Sequence, residues 1–178
     1  MEGLMDMTII PTAYERDIFD LSRGLIELAS DAGVTIGTAE SCTGGLISGA
    51  LTAIPGSSTP VMGGITSYAC SVKHDVLGVS QETLDTVGAV SSECARQMAD
   101  GARRVLCCDV AVAVTGIAGP GGAVPGKPVG TVWFALATPS ATRTERHLFG
   151  GERDEVRAQT TLVALNLLVE GVREVASS

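Results

Sequence analysis

The chain has 178 residues, of which 45% are hydrophobic and 18% are charged, and its formal net charge at pH 7 is −8. This length predicts one domain with a sizeable hydrophobic core. Because contacts with phosphate backbones need a basic surface, the acidic balance excludes a general nucleic-acid binder, although a local basic cluster can hold a small anion. No apolar run approaches the roughly 18 residues that span a bilayer, so we expect no membrane partner.

The five cysteines form no C-x-x-C pair, and His74 and His147 are the only histidines. This set argues against a zinc site. We also expect no bound cofactor. Free thiols and the lack of a basic leader pattern indicate a cytoplasmic protein. We expect residues 1–12 to be a flexible lead and 13–178 to form the single domain.

Hydrophobic periodicity predicts helices that alternate with strands. The run "DVAVAVT" (109–115) is typical of a strand buried in a parallel sheet. The helix predicted over 91–107 should bury Ala95, Met98, Ala102 and Val105 on its inner face. The order predicts a three-layer α/β/α sandwich with a mixed, mostly parallel sheet. The predicted elements are a helix (13–32), a strand (34–40), a helix (43–53), a strand (61–69), helical turns (73–79 and 81–88), a helix (91–107), a strand (109–115), an antiparallel pair (129–138 and 142–150) and a closing helix (152–175).

The segment "TAESCTGG" (38–45) joins a predicted strand to a predicted helix and contains two potential nucleophiles, Ser41 and Cys42. Unpaired amides at the start of a helix can bind an oxyanion or a phosphate. In the alternative interpretation, Ser41 and Thr43 only cap the helix. An activating partner for Ser41 would distinguish the two.

A nucleophilic serine needs a base, and no motif surrounds either histidine. A lysine can serve if burial keeps it neutral. The chain has only two lysines, Lys73 and Lys127, and both have apolar or glycine-rich neighbours. Tyr68 precedes Lys73 by five residues and could relay a proton, or it could be a half-buried strand tyrosine.

The loop over 116–128 is rich in glycine and proline, and "GGAVPGKP" matches the beginning of a phosphate-binding P-loop. Pro128 stands where that motif needs Ser or Thr, and a strand follows instead of a helix, which argues against a P-loop. A glycine-rich loop after a buried strand nevertheless lies where open α/β sheets bind ligands. A plain surface loop is the alternative.

Two arginines, Arg153 and Arg157, lie one helical turn apart in "GERDEVR". Two guanidinium groups in this spacing suit a phosphate or a carboxylate. Pairing with Asp154 and Glu155 on the surface is the alternative.

Several segments, taken together, resemble the CinA C-terminal domain family over roughly residues 15–172. They are "TAESCTGGLISGALTAIPGSS", "GGITSYACSVKHDVLGV", "GAVSSECARQMADGA", "TGIAGPGG", "KPVGTVWFA" and "GERDEVR". Stand-alone members of this family are nicotinamide-nucleotide amidases, which hydrolyse nicotinamide mononucleotide to nicotinate mononucleotide and ammonia. The resemblance therefore implies a small-molecule nucleotide substrate, no metal and a homo-oligomer.

The resemblance also implies site residues. The family motif places the nucleophile on Ser41, its base on Lys73 and an assisting tyrosine on Tyr68. Amides at 42–45 or in the 116–119 loop would hold the oxyanion. The residues that we expect around the substrate are Glu40, Cys42, Thr43, Gly44, Gly45, Thr115, Gly116, Ala118, Gly119, Lys127 and Arg153.

One position departs from the family pattern. The family commonly has Y-x-N-x-x-K, whereas this chain has "YACSVK", with Cys70 in the Asn position. This departure supports an alternative function, a catalytically weak or inactive nucleotide-binding or regulatory module of the competence- or damage-inducible type. Thiol chemistry at Cys42 is a third hypothesis.

Overall fold

Five strands form one mixed sheet between two layers of helices. The computed structural model describes residues 11–178. The helices are α1 (Thr12–Ala32), α2 (Leu46–Thr52), α3 (Cys70–Asp75), α4 (Gln81–Thr86), α5 (Ser92–Leu106) and α6 (Arg153–Ala176), and the strands are β1 (Ile36–Glu40), β2 (Val61–Thr66), β3 (Val110–Gly116), β4 (Thr131–Ala137) and β5 (Thr142–Leu148).

The strand order is β2-β1-β3-β4-β5. β1 pairs in parallel with β2 and β3, whereas the β3–β4 and β4–β5 pairs are antiparallel. Four of the five strands therefore point the same way, and the prediction of a mixed, mostly parallel sheet is confirmed.

The two faces of the sheet differ in side-chain size, as the alternation along β3 shows. Val110, Val112 and Val114 face α1, α2 and α6 in one core cluster. Ala111 and Ala113 face α5 in the other. Helices on both faces confirm the three-layer sandwich. Within residues 11–178, no helix is long and apolar enough to cross a membrane.

The alanine face lets α5 approach the sheet and the segment after α3 closely. A Cβ atom on Gly101 would lie 1.9 Å from the carbonyl oxygen of Leu77, so only glycine fits there. Ala95, Met98 and Ala102 are buried as predicted, but Val105 is 44% exposed, and its prediction was wrong. In the last turn of α5, Leu106 packs against Gly37 instead.

Several element boundaries differ from the sequence prediction; for example, β2 ends at Thr66 and not at residue 69. α2 begins at Leu46 and not at residue 43, because Gly44 and Gly45 adopt φ values of +65° and +102° that no helix contains. α1 begins at Thr12, directly after Pro11. The predicted lead, 1–12, lies outside the described residues except for its last two positions.

We predict that Gly101→Ala destabilises the fold by about 1–3 kcal/mol, the usual cost of overpacking, because the new methyl group overlaps the Leu77 carbonyl. Gly24→Ala is the matched control. Gly24 also lies within a helix, a Cβ there meets nothing within 4 Å, and alanine should stabilise by ~0.5–1 kcal/mol. Urea unfolding of both variants measures the difference, and equal effects would contradict the packing argument.

Candidate active site

Ser41 lies at the carboxyl end of β1. Open α/β sheets bind their ligands at the carboxyl ends of the strands. Its amide donates to the carbonyl oxygen of Val114 at 3.1 Å, and the preceding carbonyl of Glu40 accepts from the amide of Ser67 at 2.8 Å. Both neighbouring strands thus fix the backbone on either side of Ser41. The nucleophile candidate is held by the sheet itself.

Lys73 reaches Ser41 from α3. Its Nζ lies 2.9 Å from Ser41 Oγ, 2.6 Å from the carbonyl oxygen of Ser67 and 3.3 Å from that of Tyr68. The residue is only 1% exposed. The structure therefore brings together a serine and a lysine that are 32 residues apart in the sequence.

The surroundings of Lys73 favour a neutral amine. All three hydrogen-bond partners are uncharged oxygens, and burial lowers the pKa of Lys73 below its ordinary value of 10.5. A neutral amine can accept the hydroxyl proton of Ser41, which an ammonium group cannot. The pair has the geometry and the electrostatics of a nucleophile with its base.

The cysteines near this pair are not suited to replace Ser41. Cys42 is 6% exposed and lies in a core cluster, and burial raises the pKa of its thiol to about 12. A thiol of this kind stays protonated at neutral pH. Cys70 is exposed, and the contacts that hold Lys73 come from Ser41 and two backbone carbonyls, so they do not depend on the side chain at position 70.

The carboxylate of Glu40 is occupied inside the protein. It is fully buried and accepts five hydrogen bonds, from Thr38 Oγ1, Thr43 Oγ1 and the amides of Gly45, Ile47 and Ser48. The sequence hypothesis placed Glu40 against the substrate, whereas here both its oxygens hold the chain between β1 and α2.

Tyr68 and Arg153 meet beside the serine–lysine pair. The side chain of Tyr68 is exposed, and its hydroxyl accepts from Arg153 Nη2 at 3.3 Å. Arg153 Nη1 donates to the carbonyl oxygen of Gly119 at 2.8 Å. The Tyr68 hydroxyl is therefore hydrogen-bonded to Arg153 and not to Lys73, so the predicted proton relay has no direct contact.

Arg157 lies one turn further along α6. Its Nη2 donates to the carbonyl oxygen of Thr43 at 2.8 Å, and its buried Nε has no partner among the described residues. Within 11–178, no carboxylate lies within ion-pair distance of Arg153 or Arg157. The surface-pairing hypothesis for these arginines was wrong. Their spacing of four residues had indicated both arginines as a possible anion site, and the family resemblance had added only Arg153.

The other predicted residues lie around the same edge of the sheet. The buried Thr115 donates to the carbonyl oxygen of Ala89 at 2.7 Å, Gly116 packs tightly on the backbone of β4, and Ala118 is buried. Lys127 donates to the carbonyl oxygen of Val87 at 2.7 Å and lines a separate cavity of about 500 Å³ beside Trp133. Of the two lysines, the structure places Lys73 at Ser41.

We predict that the stability of the wild type rises with pH relative to Lys73→Met. Because burial depresses the pKa of Lys73 in the folded state, the unfolded chain binds more protons between that pKa and 10.5, and stability increases with pH in this window. Denaturant unfolding of both proteins from pH 7 to pH 10.5 measures the slope. A difference that stays constant with pH would contradict a depressed pKa.

Comparison with known proteins identifies the family. The family model described as the CinA C-terminal domain matches residues 19–172. A CinA-like protein of Geotalea uraniireducens is 48% identical over 141 residues, which are 79% of this chain and 34% of that relative. A CinA-like protein of Mycolicibacterium gilvum is 44% identical over 171 residues, 94% of this chain and 40% of the relative. The chain thus spans well under half the length of these curated relatives.

A solved structure has the same architecture over almost the whole chain. The competence/damage inducible protein from Agrobacterium tumefaciens is 44% identical, with a TM-score of 0.85, and the match covers 92% of this chain and 98% of that one. A CinA superfamily protein from Klebsiella pneumoniae is 34% identical with a TM-score of 0.84, covering 88% and 98% of the two chains. The chain belongs to the CinA C-terminal domain family.

Proposed function

We propose that this chain is a nicotinamide-nucleotide amidase, which hydrolyses nicotinamide mononucleotide to nicotinate mononucleotide and ammonia. The observation that carries the proposal is the 2.9 Å contact between Ser41 Oγ and the Nζ of the buried Lys73. A serine activated by a neutral lysine can attack an amide without a metal or a redox cofactor.

In the first half of the reaction, Ser41 Oγ bonds to the carboxamide carbon while its proton moves to Lys73 Nζ. The resulting ammonium then protonates the amide nitrogen, the carbon–nitrogen bond breaks and ammonia leaves. In the second half, a water molecule attacks the acyl carbon and gives a proton to Lys73. The ester bond to Ser41 breaks, the hydroxyl regains its proton, and the nicotinate carboxylate is released.

The amides of Cys42 and Thr43 are the best candidates to stabilise the oxyanion. Neither donates to another residue among those described, whereas the amide of Gly44 donates to the Ser41 carbonyl and that of Gly45 to Glu40. Unpaired amides directly after the nucleophile suit the developing negative charge. Within 42–45 these two amides are therefore the candidates, and the amides of the 116–119 loop are the alternative.

Arg153 and Arg157 supply the positive charge for the substrate phosphate. Both guanidinium groups contact only neutral oxygens within the described chain, although the protein has a net charge of −8. These two arginines make hydrogen bonds but no ion pair within the described chain. Two such guanidinium groups near Ser41 in an acidic protein favour an anionic ligand.

A non-catalytic module of the competence or damage response is the second candidate. It is supported by Cys70 in the position where the family commonly has Asn and by the names of relatives such as the putative competence-damage inducible protein of Caldanaerobacter subterraneus. This alternative predicts binding of the nucleotide without release of ammonia.

We predict that Ser41→Ala and Lys73→Met each lower ammonia release from nicotinamide mononucleotide by about 10³-fold or more, because each removes one half of the nucleophile–base pair. Cys42→Ala is the control, since its thiol takes no part in this mechanism. Steady-state assays with each purified, folded variant measure the effect. Full activity in Ser41→Ala, or selective loss in Cys42→Ala, would contradict the serine mechanism.

We also predict that Arg153→Ala reduces the preference for the nucleotide over the corresponding nucleoside, which lacks the phosphate. The loss should be about 10-fold or more in the ratio of kcat/KM values, as expected for removal of a charge-assisted contact. Arg143→Ala is the matched control, because Arg143 is paired with Glu170 and Glu174 on the surface. An unchanged ratio in Arg153→Ala would place the phosphate elsewhere.

A further inference from the structure

The carboxylate of Glu40 has an unusual environment for a buried acid. It is 0% exposed, and among the described residues no lysine or arginine lies within ion-pair distance of it. Its five hydrogen-bond partners are instead two hydroxyls and three amides, at 2.7–3.2 Å. All five partners donate to its two oxygens, and a carboxylate has enough lone pairs to accept from all of them.

These bonds determine the path of the chain that follows Ser41. Oε2 of Glu40 accepts from Thr43 Oγ1 and from the amides of Gly45 and Ile47, and Oε1 accepts from the amide of Ser48. The first turn of a helix normally exposes several such amides. Here Glu40 accepts from those of Gly45, Ile47 and Ser48. The amides of Cys42 and Thr43, which precede α2, have no partner among the described residues and are free for a ligand.

Thr43 is fixed from two sides. Its hydroxyl donates to Glu40 at 2.7 Å, and its carbonyl oxygen accepts from Arg157 at 2.8 Å. The peptide groups between Ser41 and Thr43 are therefore held between a bond to β3 at one end and these two side chains at the other. The backbone here cannot turn its amides inward without breaking a charge-assisted hydrogen bond.

We propose that Glu40 is a positioning residue for the reaction. Its buried carboxylate holds the 41–45 turn so that the amides of Cys42 and Thr43 stay unpaired beside the Ser41 hydroxyl and receive the oxyanion. This inference rests on the proposed amidase function. It replaces the expectation that Glu40 contacts the substrate.

The chemistry of the site requires a carboxylate. In Glu40→Gln, an NH₂ group replaces one oxygen and faces a backbone amide at either position, because Oε1 accepts from the amide of Ser48 and Oε2 from those of Gly45 and Ile47. The hydroxyls of Thr38 and Thr43 can turn to accept, but a backbone amide cannot. Two donors facing each other repel and leave buried groups unpaired. The turn must then move, and the amides of Cys42 and Thr43 move with it.

The test compares kcat and KM for nicotinamide mononucleotide in the wild-type chain and in Glu40→Gln. We expect kcat to fall about 10²-fold, as for the loss of an oxyanion-hole donor, while KM changes by less than about 3-fold because substrate contacts remain. Thr43→Val is the second variant, since it removes one bond to Glu40 at nearly constant volume, and kcat should fall by a smaller factor.

Asp109→Asn is the matched control for a purely structural role. Asp109 also accepts from a backbone amide and a hydroxyl, both of Thr35, at 2.8 and 2.7 Å, but it precedes β3 at the opposite edge of the sheet. This variant should lose stability without losing kcat. Amide hydrogen exchange measured by NMR should show faster exchange at Gly45, Ile47 and Ser48 in Glu40→Gln only.

The outcomes separate the inference from the function on which it rests. Wild-type kcat in both Glu40→Gln and Thr43→Val would overturn the positioning role while the amidase proposal stands. A raised KM with unchanged kcat would show that Glu40 contacts the substrate and would also overturn it. If the wild type itself releases no ammonia, the proposed function fails and the inference fails with it.

Discussion

The chemistry of this site depends on placing an amine where water cannot stabilise its charge. Lys73 has two backbone carbonyls and one hydroxyl as partners and is almost completely buried. Desolvation favours the neutral form of the amine. The contact with Ser41 places a hydroxyl proton where that neutral amine can accept it. The parallel strands β1 and β2 place the serine and the carbonyls at one edge of the sheet, and α3 brings the lysine to them. Most of the fold around the site can be understood as support for this single contact.

The turn after β1 supports the contact in a second way. Glycines at 44 and 45 let the chain reverse direction before α2 begins, and the Glu40 carboxylate occupies three amides at the beginning of that helix. The first amides of a helix ordinarily have no partner within the helix, and all of them can bind a ligand. Here three of those amides donate to Glu40, whereas the amides of Cys42 and Thr43, which precede α2, have no partner among the described residues. In the proposed mechanism these two amides hold the oxyanion while the proton moves between Ser41 and Lys73.

Much of this arrangement could be predicted from the sequence, for physical reasons that particular residues make clear. The alternation in "DVAVAVT" indicated a strand covered on both faces, and the scarcity of lysine limited the possible bases to two. Other features depend on contacts between distant segments. Glu40 lies next to the nucleophile in the sequence, so adjacency indicated a substrate contact, but its five partners become visible only when α2 packs onto β1. The exposure of Val105 follows likewise from the end of α5, where Leu106 takes its place.

The difference in size between the two faces of the sheet has a consequence for how the protein tolerates change. The segment that follows Lys73 packs, through Leu77 and Val79, in the alanine-lined cluster against α5, and Gly101 touches the Leu77 backbone with no room for a methyl group. The position of Lys73 relative to the sheet thus depends on the packing of this alanine-lined layer. We expect volume added on the valine face to be shared among three helices, whereas volume added on the alanine face should move Lys73 away from Ser41. Under the proposed mechanism, activity is therefore most sensitive to substitution in a layer that contains neither Ser41 nor Lys73.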